Sequence, residues 1–172
     1  MTSATPKRSD VPPAWDERTM LTTYLDYVRA TVHAKCAGIS ADDARRALLP
    51  TSPLMTVAGL VNHLRWVEES WVAVDLLGGP DEGPWTEDDP DREMRIAVDQ
   101  PLEDLLADYE RVCAHNREVA ASMDLDTRAV RKLNTGEHAT LRWILFHLIE
   151  ETARHNGHLD ILRELLDGTT GS

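Results

Sequence analysis

The chain has 172 residues, of which 42% are hydrophobic and 28% charged, and this balance predicts one globular domain with a single core. The formal net charge of -12 and the lack of a basic face with interleaved aromatic residues exclude DNA and RNA as expected partners. No apolar run approaches the ~20 residues that span a bilayer, and the start of the chain has no apolar signal core, so a cytoplasmic protein without membrane contact is predicted.

Both ends of the chain are polar and contain proline, glycine or threonine. Residues 1–12 are therefore predicted to be a disordered N-terminal tail, and residues 168–172 a C-terminal tail. The folded domain is expected over residues 13–167. Its two cysteines, Cys36 and Cys113, lack the CxxC spacing of zinc or redox sites and are expected to be buried, reduced thiols.

A first helix is predicted from Trp15 to Ala37, before Gly38, because apolar residues recur at three- and four-residue intervals. These apolar residues are Met20, Leu21, Tyr24, Leu25, Val28 and Val32. Ser40, with an acid three residues later, resembles a capping box and predicts a short helix that extends to Leu49.

A second long helix is predicted from Thr56 to Leu77, where the sequence Gly-Gly-Pro follows. Its expected buried residues are Leu60, Leu64, Val67, Trp71 and Val74. The next segment, DEGPWTEDDPDRE at residues 81–93, is acidic and broken by prolines, which is typical of a loop. This loop could act as a lid over the end of the domain.

A third helix is predicted with Pro101 in its first turn and its end near Met123. Its apolar residues are Leu102, Leu105, Tyr109, Val112, Cys113 and Val119. After a weakly periodic segment, the last helix is expected over residues 140–166. Four long amphipathic helices without a strand or a repeat predict an all-α fold, a four-helix bundle with long connections.

The last helix places an acid and an imidazole at the edge of its apolar face. Glu151 and His155 are four residues apart, which brings their side chains within about 6 Å of each other. An ionised carboxylate that faces a core costs several kcal/mol unless it is paired or bound to a cation. A compensating partner is therefore expected.

His63 on the second helix is the candidate for that partner, because it projects beside the buried stripe of its own helix. With Glu151 and His155 it would supply two imidazoles and one carboxylate, and would leave open positions for water or a substrate atom. Catalytic zinc sites and non-haem iron sites use such ligand sets. The alternative is a metal-free arrangement in which Glu151 pairs with Arg154, with Arg142 or with a neighbouring helix.

Other candidates surround these three residues. Arg154 and His158 could contact an anionic substrate or thiol cofactor, although a solvent-facing role is the alternative. Gly157 could permit the close approach of a backbone or ligand, or simply a tight packing contact. An aromatic substrate pocket could include the tryptophans Trp66, Trp71, Trp85 and Trp143, with core packing as the alternative for Trp71. No catalytic residue is predicted beyond the metal centre.

Two segments resemble a known family. TSPLMTVAGLVNHLRWVEESWV and TLRWILFHLIEETARHNGHLDILRELL are similar to the DinB/YfiT-like superfamily, in particular its actinobacterial branch often labelled mini-circle protein, over about residues 15–167. The resemblance implies a four-helix bundle that holds a divalent metal at one end. Many members use three histidines, and a sub-branch that includes mycothiol-dependent maleylpyruvate isomerase uses His, Glu and His. The matching positions here are His63, Glu151 and His155.

The resemblance also implies a reaction. A glutamate in place of a histidine lowers the charge of a zinc complex and should make its bound thiolate or water less acidic. Zinc is the leading candidate metal, and nickel and iron, which accept the same ligands, are the alternatives. The Ala-, Arg- and Asp-rich composition resembles that of actinobacterial proteins, which favours mycothiol as the small-molecule thiol. The expected function is metal-dependent mycothiol S-transfer to an electrophile, of detoxification type. The alternatives are a non-catalytic small-molecule- or metal-binding bundle and a metal-dependent hydrolase, and a homodimer remains open.

Overall fold

The computed structural model describes Arg8 and residues 16–170. The tail predicted over residues 1–12, the helix start at Trp15 and the last two residues of the predicted C-terminal tail therefore lie outside the described residues, apart from Arg8. Within the described part of the chain, all six α-helices are joined by turns and loops, and the only strand-like pairing is an isolated bridge between Arg128 and Thr140. The predicted all-α fold is confirmed.

Four of the helices are long. They are α1 (Glu17–Cys36), α3 (Val57–Glu69), α5 (Leu102–Ser122) and α6 (Leu141–Asp167). Two are short, namely α2 (Ala41–Ala44) and α4 (Arg92–Ile96), and a 3-10 turn follows α4 at Ala97–Asp99. Helix α1 packs along α6, and α3 packs against α5. No helix in residues 16–170 combines the length and the apolar composition needed to cross a membrane.

Polar caps start the helices where the sequence predicted them. The hydroxyls of Ser40, Thr56 and Thr140 each accept a hydrogen bond from the backbone N–H three residues later. Each cap satisfies one of the backbone donors that a helix start leaves without a partner. At the other end of α6, Gly168 adopts a left-handed conformation with φ of 75° and closes the helix.

Several predicted boundaries are wrong. Helix α2 ends at Ala44 rather than Leu49, because Leu48 and Leu49 leave the helical path to pack against the core. Pro101 is the residue before α5 rather than part of its first turn. The segment predicted as a loop at 81–93 ends in the first residues of α4, whose five residues are too few to give a periodic pattern.

The second long helix changes its hydrogen-bond register after Glu69. Residues Ser70–Leu76 form a π-helix, with the backbone N–H of Leu77 bonded to the oxygen of Val72 at 3.0 Å. The wider turn abolishes the three- and four-residue spacing of buried positions. Val74 is buried as predicted, together with Val72 and Leu76, whereas the predicted core residues Val67 and Trp71 are only half-buried. Tyr24 of α1, also predicted to be buried, is exposed.

The core consists of two apolar clusters separated by a polar layer. The first cluster includes Leu60, Leu64, Tyr109, Cys113 and Leu159, and the second includes Leu25, Val72, Leu141, Ile144 and Leu148. Between them, each long helix contributes buried polar side chains, which are Arg29, Glu68, Asn116, Thr152 and Asn156. The candidate site lies at the same level of α6, where Glu151 and His155 flank Thr152.

Candidate metal centre

Three potential metal ligands converge from two helices that are distant in the sequence. His63 lies on α3, and Glu151 and His155 lie one turn apart on α6. Glu151 Oε1 is 3.4 Å from His63 Nε2 and 3.2 Å from His155 Nε2. All three ligand atoms lie within 4.8 Å of one another. The structure thus brings together the residues that the sequence singled out, within the reach of a single ion.

The three side chains are screened from solvent without being fully enclosed. Their exposed fractions are 24% for His63, 13% for Glu151 and 14% for His155. The two imidazole rings meet edge to face, with their centroids 4.8 Å apart. A ligand from solvent can reach such a site, while the surrounding protein strengthens electrostatic interactions inside it.

Glu151 uses its two oxygens differently. Oε2 faces outward and accepts a hydrogen bond from Arg154 Nη1 at 3.0 Å, whereas Oε1 faces the two imidazoles. The pairing of Glu151 with Arg154, which the metal-free alternative expects, therefore involves only one of the two carboxylate oxygens. Arg142 is not involved, because it binds Glu17.

The surroundings keep this carboxylate ionised. Burial raises the pKa of Glu151, but the hydrogen bond with His63 and the charges of His155 and Arg154 outweigh it, so the net pKa lies below its ordinary value. A negative charge therefore sits in a partly buried site at neutral pH, with Arg154 at its outer oxygen and only the two imidazoles at Oε1.

Glu93 is a site residue that the sequence analysis missed. It lies on α4, is 6% exposed, and places Oε1 3.2 Å from His63 Nδ1. The side-chain amide of Asn62 donates to the backbone oxygen of Glu93 at 2.6 Å and fixes α4 beside α3. Nothing in the acidic segment before α4 distinguishes this glutamate from its neighbours, so only the fold could reveal it.

Glu93 determines which nitrogen of His63 carries a hydrogen. When its carboxylate is ionised, Glu93 only accepts hydrogen bonds, and His63 Nδ1 is then the donor of this contact. His63 Nε2 then faces Glu151 in one of two forms. Either Nε2 carries the second N–H of an imidazolium, or it directs a lone pair at a cation between the two residues. A carboxylate that orients an imidazole in this way is the usual partner of a metal-bound histidine.

His155 has an equivalent partner in His158. The Nδ1 atoms of the two rings are 3.2 Å apart, so one must donate to the other. Burial lowers the pKa of His155, as does the charge of His63. When His155 Nδ1 is the donor, its Nε2 presents a lone pair to Glu151 Oε1. The donor set then comprises two imidazole nitrogens and a carboxylate oxygen, a set that fits a divalent cation.

The other predicted binding residues lie around this centre. His158 contacts Nδ1 of His155, the ring nitrogen that does not face Glu151, and Arg154 is exposed and bound to Glu150 and Glu151. Their roles in binding a substrate or a thiol remain predictions. Gly157 is exposed, and a Cβ atom built there would meet nothing within 4 Å, so neither a close backbone approach nor a packing contact explains it among the described residues.

A pocket of about 180 Å³ adjoins His63. It is lined by His63, Trp66, Val67, Ser70, Trp71, Trp85 and Glu93. Three of the four tryptophans predicted to form an aromatic pocket are therefore here. The fourth, Trp143, lies outside it, exposed and stacked on His147 with the ring centroids 5.2 Å apart.

A family model described as mycothiol-S-transferase matches residues 20–168 of the chain. The chain belongs to the mycothiol S-transferase family. The match extends from α1 to the end of α6 and includes both segments that resemble the DinB/YfiT-like superfamily, so the predicted superfamily is confirmed. No curated protein matches the chain.

The chain's own cysteines are unsuited to be the reactive thiol of this mycothiol S-transferase family member. Both are free and buried. Burial raises the pKa of Cys36 to about 12, and it raises the pKa of Cys113 well above its ordinary value. Only the thiolate is nucleophilic, so neither thiol is reactive at neutral pH. Family membership and the inert cysteines together support an S-transferase-like function that uses a small-molecule thiol.

Proposed function

We propose that the protein is a divalent-metal-dependent mycothiol S-transferase that detoxifies electrophiles in the cytoplasm, with His63, Glu151 and His155 as the metal ligands. The observation that carries the proposal is the convergence of three potential ligand atoms within 4.8 Å of one another, with Glu93 Oε1 3.2 Å from the other ring nitrogen of His63. Zinc is the leading candidate, because imidazole and carboxylate ligands suit it, and nickel and iron accept the same set.

The bound cation would lower the pKa of a coordinated thiol, so that the sulfur is a thiolate at neutral pH. The protein's own residues support this in distinct ways. Glu93 holds the hydrogen on His63 Nδ1 and leaves Nε2 free of it, and His158 can do the same for His155. Glu151 contributes the negative charge, and Arg154 shares the outer oxygen of that carboxylate with solvent.

Three protein ligands leave room for a substrate atom, which is the property that separates catalytic from structural zinc sites. The partial exposure of all three side chains is consistent with access from solvent. Conjugation would form a bond between the thiol sulfur and the electrophilic carbon, the bond from that carbon to its leaving group would break with the electron pair on the leaving group, and the thiol proton would pass to solvent.

The test is a conjugation assay with mycothiol and a soluble electrophile. We expect activity that is lost after chelation, restored by added zinc, and absent in the His155→Ala variant. The matched control is His115→Ala, which removes an exposed histidine on α5. Circular dichroism and urea unfolding would show that both variants fold. Full activity of His155→Ala would contradict the proposal.

The same assay separates the alternatives. Metal-dependent ester or amide cleavage without thiol would select a hydrolase. A small molecule that copurifies, with no product from any thiol and electrophile pair, would select a binding bundle. A homodimer remains a prediction, to be tested by light scattering.

A further inference from the structure

The pocket beside His63 is built from one face of the helix that carries this histidine. His63, Trp66 and Val67 share one face of α3, and Ser70 and Trp71 at the start of the π-helix continue the same wall of the pocket. Trp85 closes the opposite side from the loop before α4, and its ring meets Trp66 edge to face at a centroid distance of 5.5 Å. A group held here would lie next to a proposed metal ligand.

Close approach of backbone and indole holds Trp85 in this wall. A Cβ atom at Gly83 would lie 2.0 Å from the Trp85 ring, so any side chain at position 83 would displace the indole. The ring nitrogen of Trp85 also donates to Asp81 at 3.4 Å. The indole is thus a positioned part of the pocket.

The size and the walls of the pocket fit a single ring. Three indoles supply flat apolar surface, and a cavity of about 150 Å³ lined by apolar side chains is enough to bind benzene in another protein. The polar groups of the pocket are few, namely Ser70, Glu93 and the edge of His63. A hydroxyl-rich thiol such as mycothiol would lose more hydrogen bonds to water than this wall can replace. The pocket is therefore better suited to the second substrate than to the thiol.

The charged side chains that line the pocket narrow the choice of electrophile further. Among the described residues that line the pocket there is one carboxylate and neither an arginine nor a lysine. Glu93 Oε1 is engaged by His63, but Oε2 is buried and has no hydrogen-bond partner within the described part of the chain. An ionised Glu93 would repel an anionic group at this end of the pocket, whereas a neutral group with an N–H or O–H donor could satisfy Oε2.

We propose that this pocket binds the electrophile, and that an uncharged aromatic molecule of about one ring is preferred there over a carboxylate-bearing analogue. Trp66, Trp71 and Trp85 would contact the ring of the electrophile, and Glu93 would disfavour an electrophile that carries a negative charge. This inference rests on the proposed function, since it assigns the second substrate of the same reaction.

Benzyl chloride, 4-(chloromethyl)benzoate and chloroacetamide are suitable probes. In each, a bond forms between the thiol sulfur and the chlorine-bearing carbon, the C–Cl bond breaks, chloride leaves with the bonding electrons, and the thiol proton passes to the buffer. Benzyl chloride and its benzoate differ in charge but share the reacting carbon. Chloroacetamide has no ring.

Rates with metal-loaded full-length protein would be divided by the spontaneous rates. We expect kcat/KM for benzyl chloride to exceed the values for the other two probes by about 10-fold or more. Trp85→Leu and Gly83→Ala should each lower the ratio of kcat/KM for benzyl chloride to that for chloroacetamide. Phe146→Leu, which replaces an exposed aromatic residue on α6, should leave this ratio unchanged. Glu93→Gln should lower the ratio of benzyl chloride to its benzoate, whatever it does to the absolute rates.

Different failures have different meanings. An equal ratio of kcat/KM for benzyl chloride to that for chloroacetamide in the wild type and in Trp85→Leu would overturn the inference. A KM for mycothiol that Trp85→Leu raises with every electrophile would overturn it too, because the pocket would then hold the thiol. In both cases the proposed S-transferase function would stand. If no electrophile is conjugated at all, quenching of tryptophan fluorescence by nitrobenzyl alcohol and nitrobenzoate still tests the pocket. Tighter binding of the alcohol, weakened by Trp85→Leu, would support it, and equal binding would overturn it.

Discussion

The contact between His63 Nδ1 and Glu93 Oε1 carries the most information about the site. Without it, both imidazoles could donate Nε2–H groups to Glu151, and a metal would not be needed to explain the arrangement. With it, a neutral His63 must present a lone pair to the carboxylate of Glu151, which is repulsive unless a proton or a cation lies between them. A helix of only five residues therefore contributes to the proposed chemistry at the centre.

Replacement of Glu93 tests this role. Glu93→Ala should lower the affinity for the divalent metal by about 10–100-fold, because the orienting partner of a metal-bound histidine is lost. Titration against a chromophoric chelator would measure the change. Glu87→Ala, an exposed acid in the preceding loop, is the matched control and should bind the metal as the wild type does. Unchanged affinity in Glu93→Ala would refute the assigned tautomer.

A second carboxylate, remote from the centre, predicts the acid sensitivity of the fold. Burial raises the pKa of Glu110, but His33, whose Nε2 lies 3.6 Å from Oε2, and Arg117, which donates a hydrogen bond to Oε1, outweigh it and bring the pKa to about 2. Because this folded-state pKa lies below the ordinary value of 4.5, Glu110 stabilises the protein above pH 4.5. That stabilisation is lost as the pH falls toward 2.

Urea unfolding at several pH values checks this expectation. Between pH 4.5 and about pH 2, the free energy of unfolding should fall less in Glu110→Gln than in the wild type, because the amide does not titrate. Glu118→Gln, on an exposed position of the same helix, should follow the wild type. Parallel curves for Glu110→Gln and the wild type would show that the ion pair with Arg117 contributes nothing.

At the scale of the elements, the sequence predicted what periodicity and capping determine. The four long helices were found because their apolar residues recur regularly, and His63, Glu151 and His155 were found because they interrupt that regularity at a core edge. Helix α4 was missed, because its position depends on the packing of Met94 and Ala97 against the core. The π-helix was missed as well, since a change of backbone register leaves no composition signal.

Gly157 offers a test within α6. The position is exposed and open, so the Gly157→Ala side chain would cause no clash, and the substitution should stabilise the protein by about 0.5–1 kcal/mol. The midpoint of urea unfolding measures this gain. A gain in stability with a loss of thiol conjugation would show that a bound substrate uses the open space. A loss of stability would contradict the open surroundings seen at this position.

At the scale of the whole molecule, the polar layer between the two apolar clusters contains a buried ion pair. Arg29 and Glu68 are 2% and 1% exposed and form two hydrogen bonds of 2.7 Å, and Asn116 donates to the same carboxylate. Burial alone would lower the pKa of Arg29, but Glu68 raises it well above its ordinary value. The sequence analysis missed this pair, because each residue alone looks like an ordinary charge on a helix.

Removal of one partner of the Arg29–Glu68 ion pair should lower the free energy of unfolding strongly, whereas replacement of both should lower it much less. Glu68→Ala leaves a buried guanidinium without its main partner and should cost about 3–5 kcal/mol of unfolding free energy. The double variant Arg29→Met/Glu68→Leu should recover most of that loss, because no buried charge is left uncompensated by its partner. Urea unfolding of the single and double variants measures both values. A double variant no more stable than Glu68→Ala would assign the loss to packing instead.

Elemental analysis of the freshly purified protein tests the central claim most directly, namely that two imidazoles and a carboxylate hold a divalent cation between α3 and α6. The account predicts about one equivalent of metal per chain, lost in Glu151→Ala and retained in Glu164→Ala, an exposed acid on the same helix. A folded wild-type protein that conjugates thiols without bound metal, or a full equivalent of metal retained by Glu151→Ala, would contradict it.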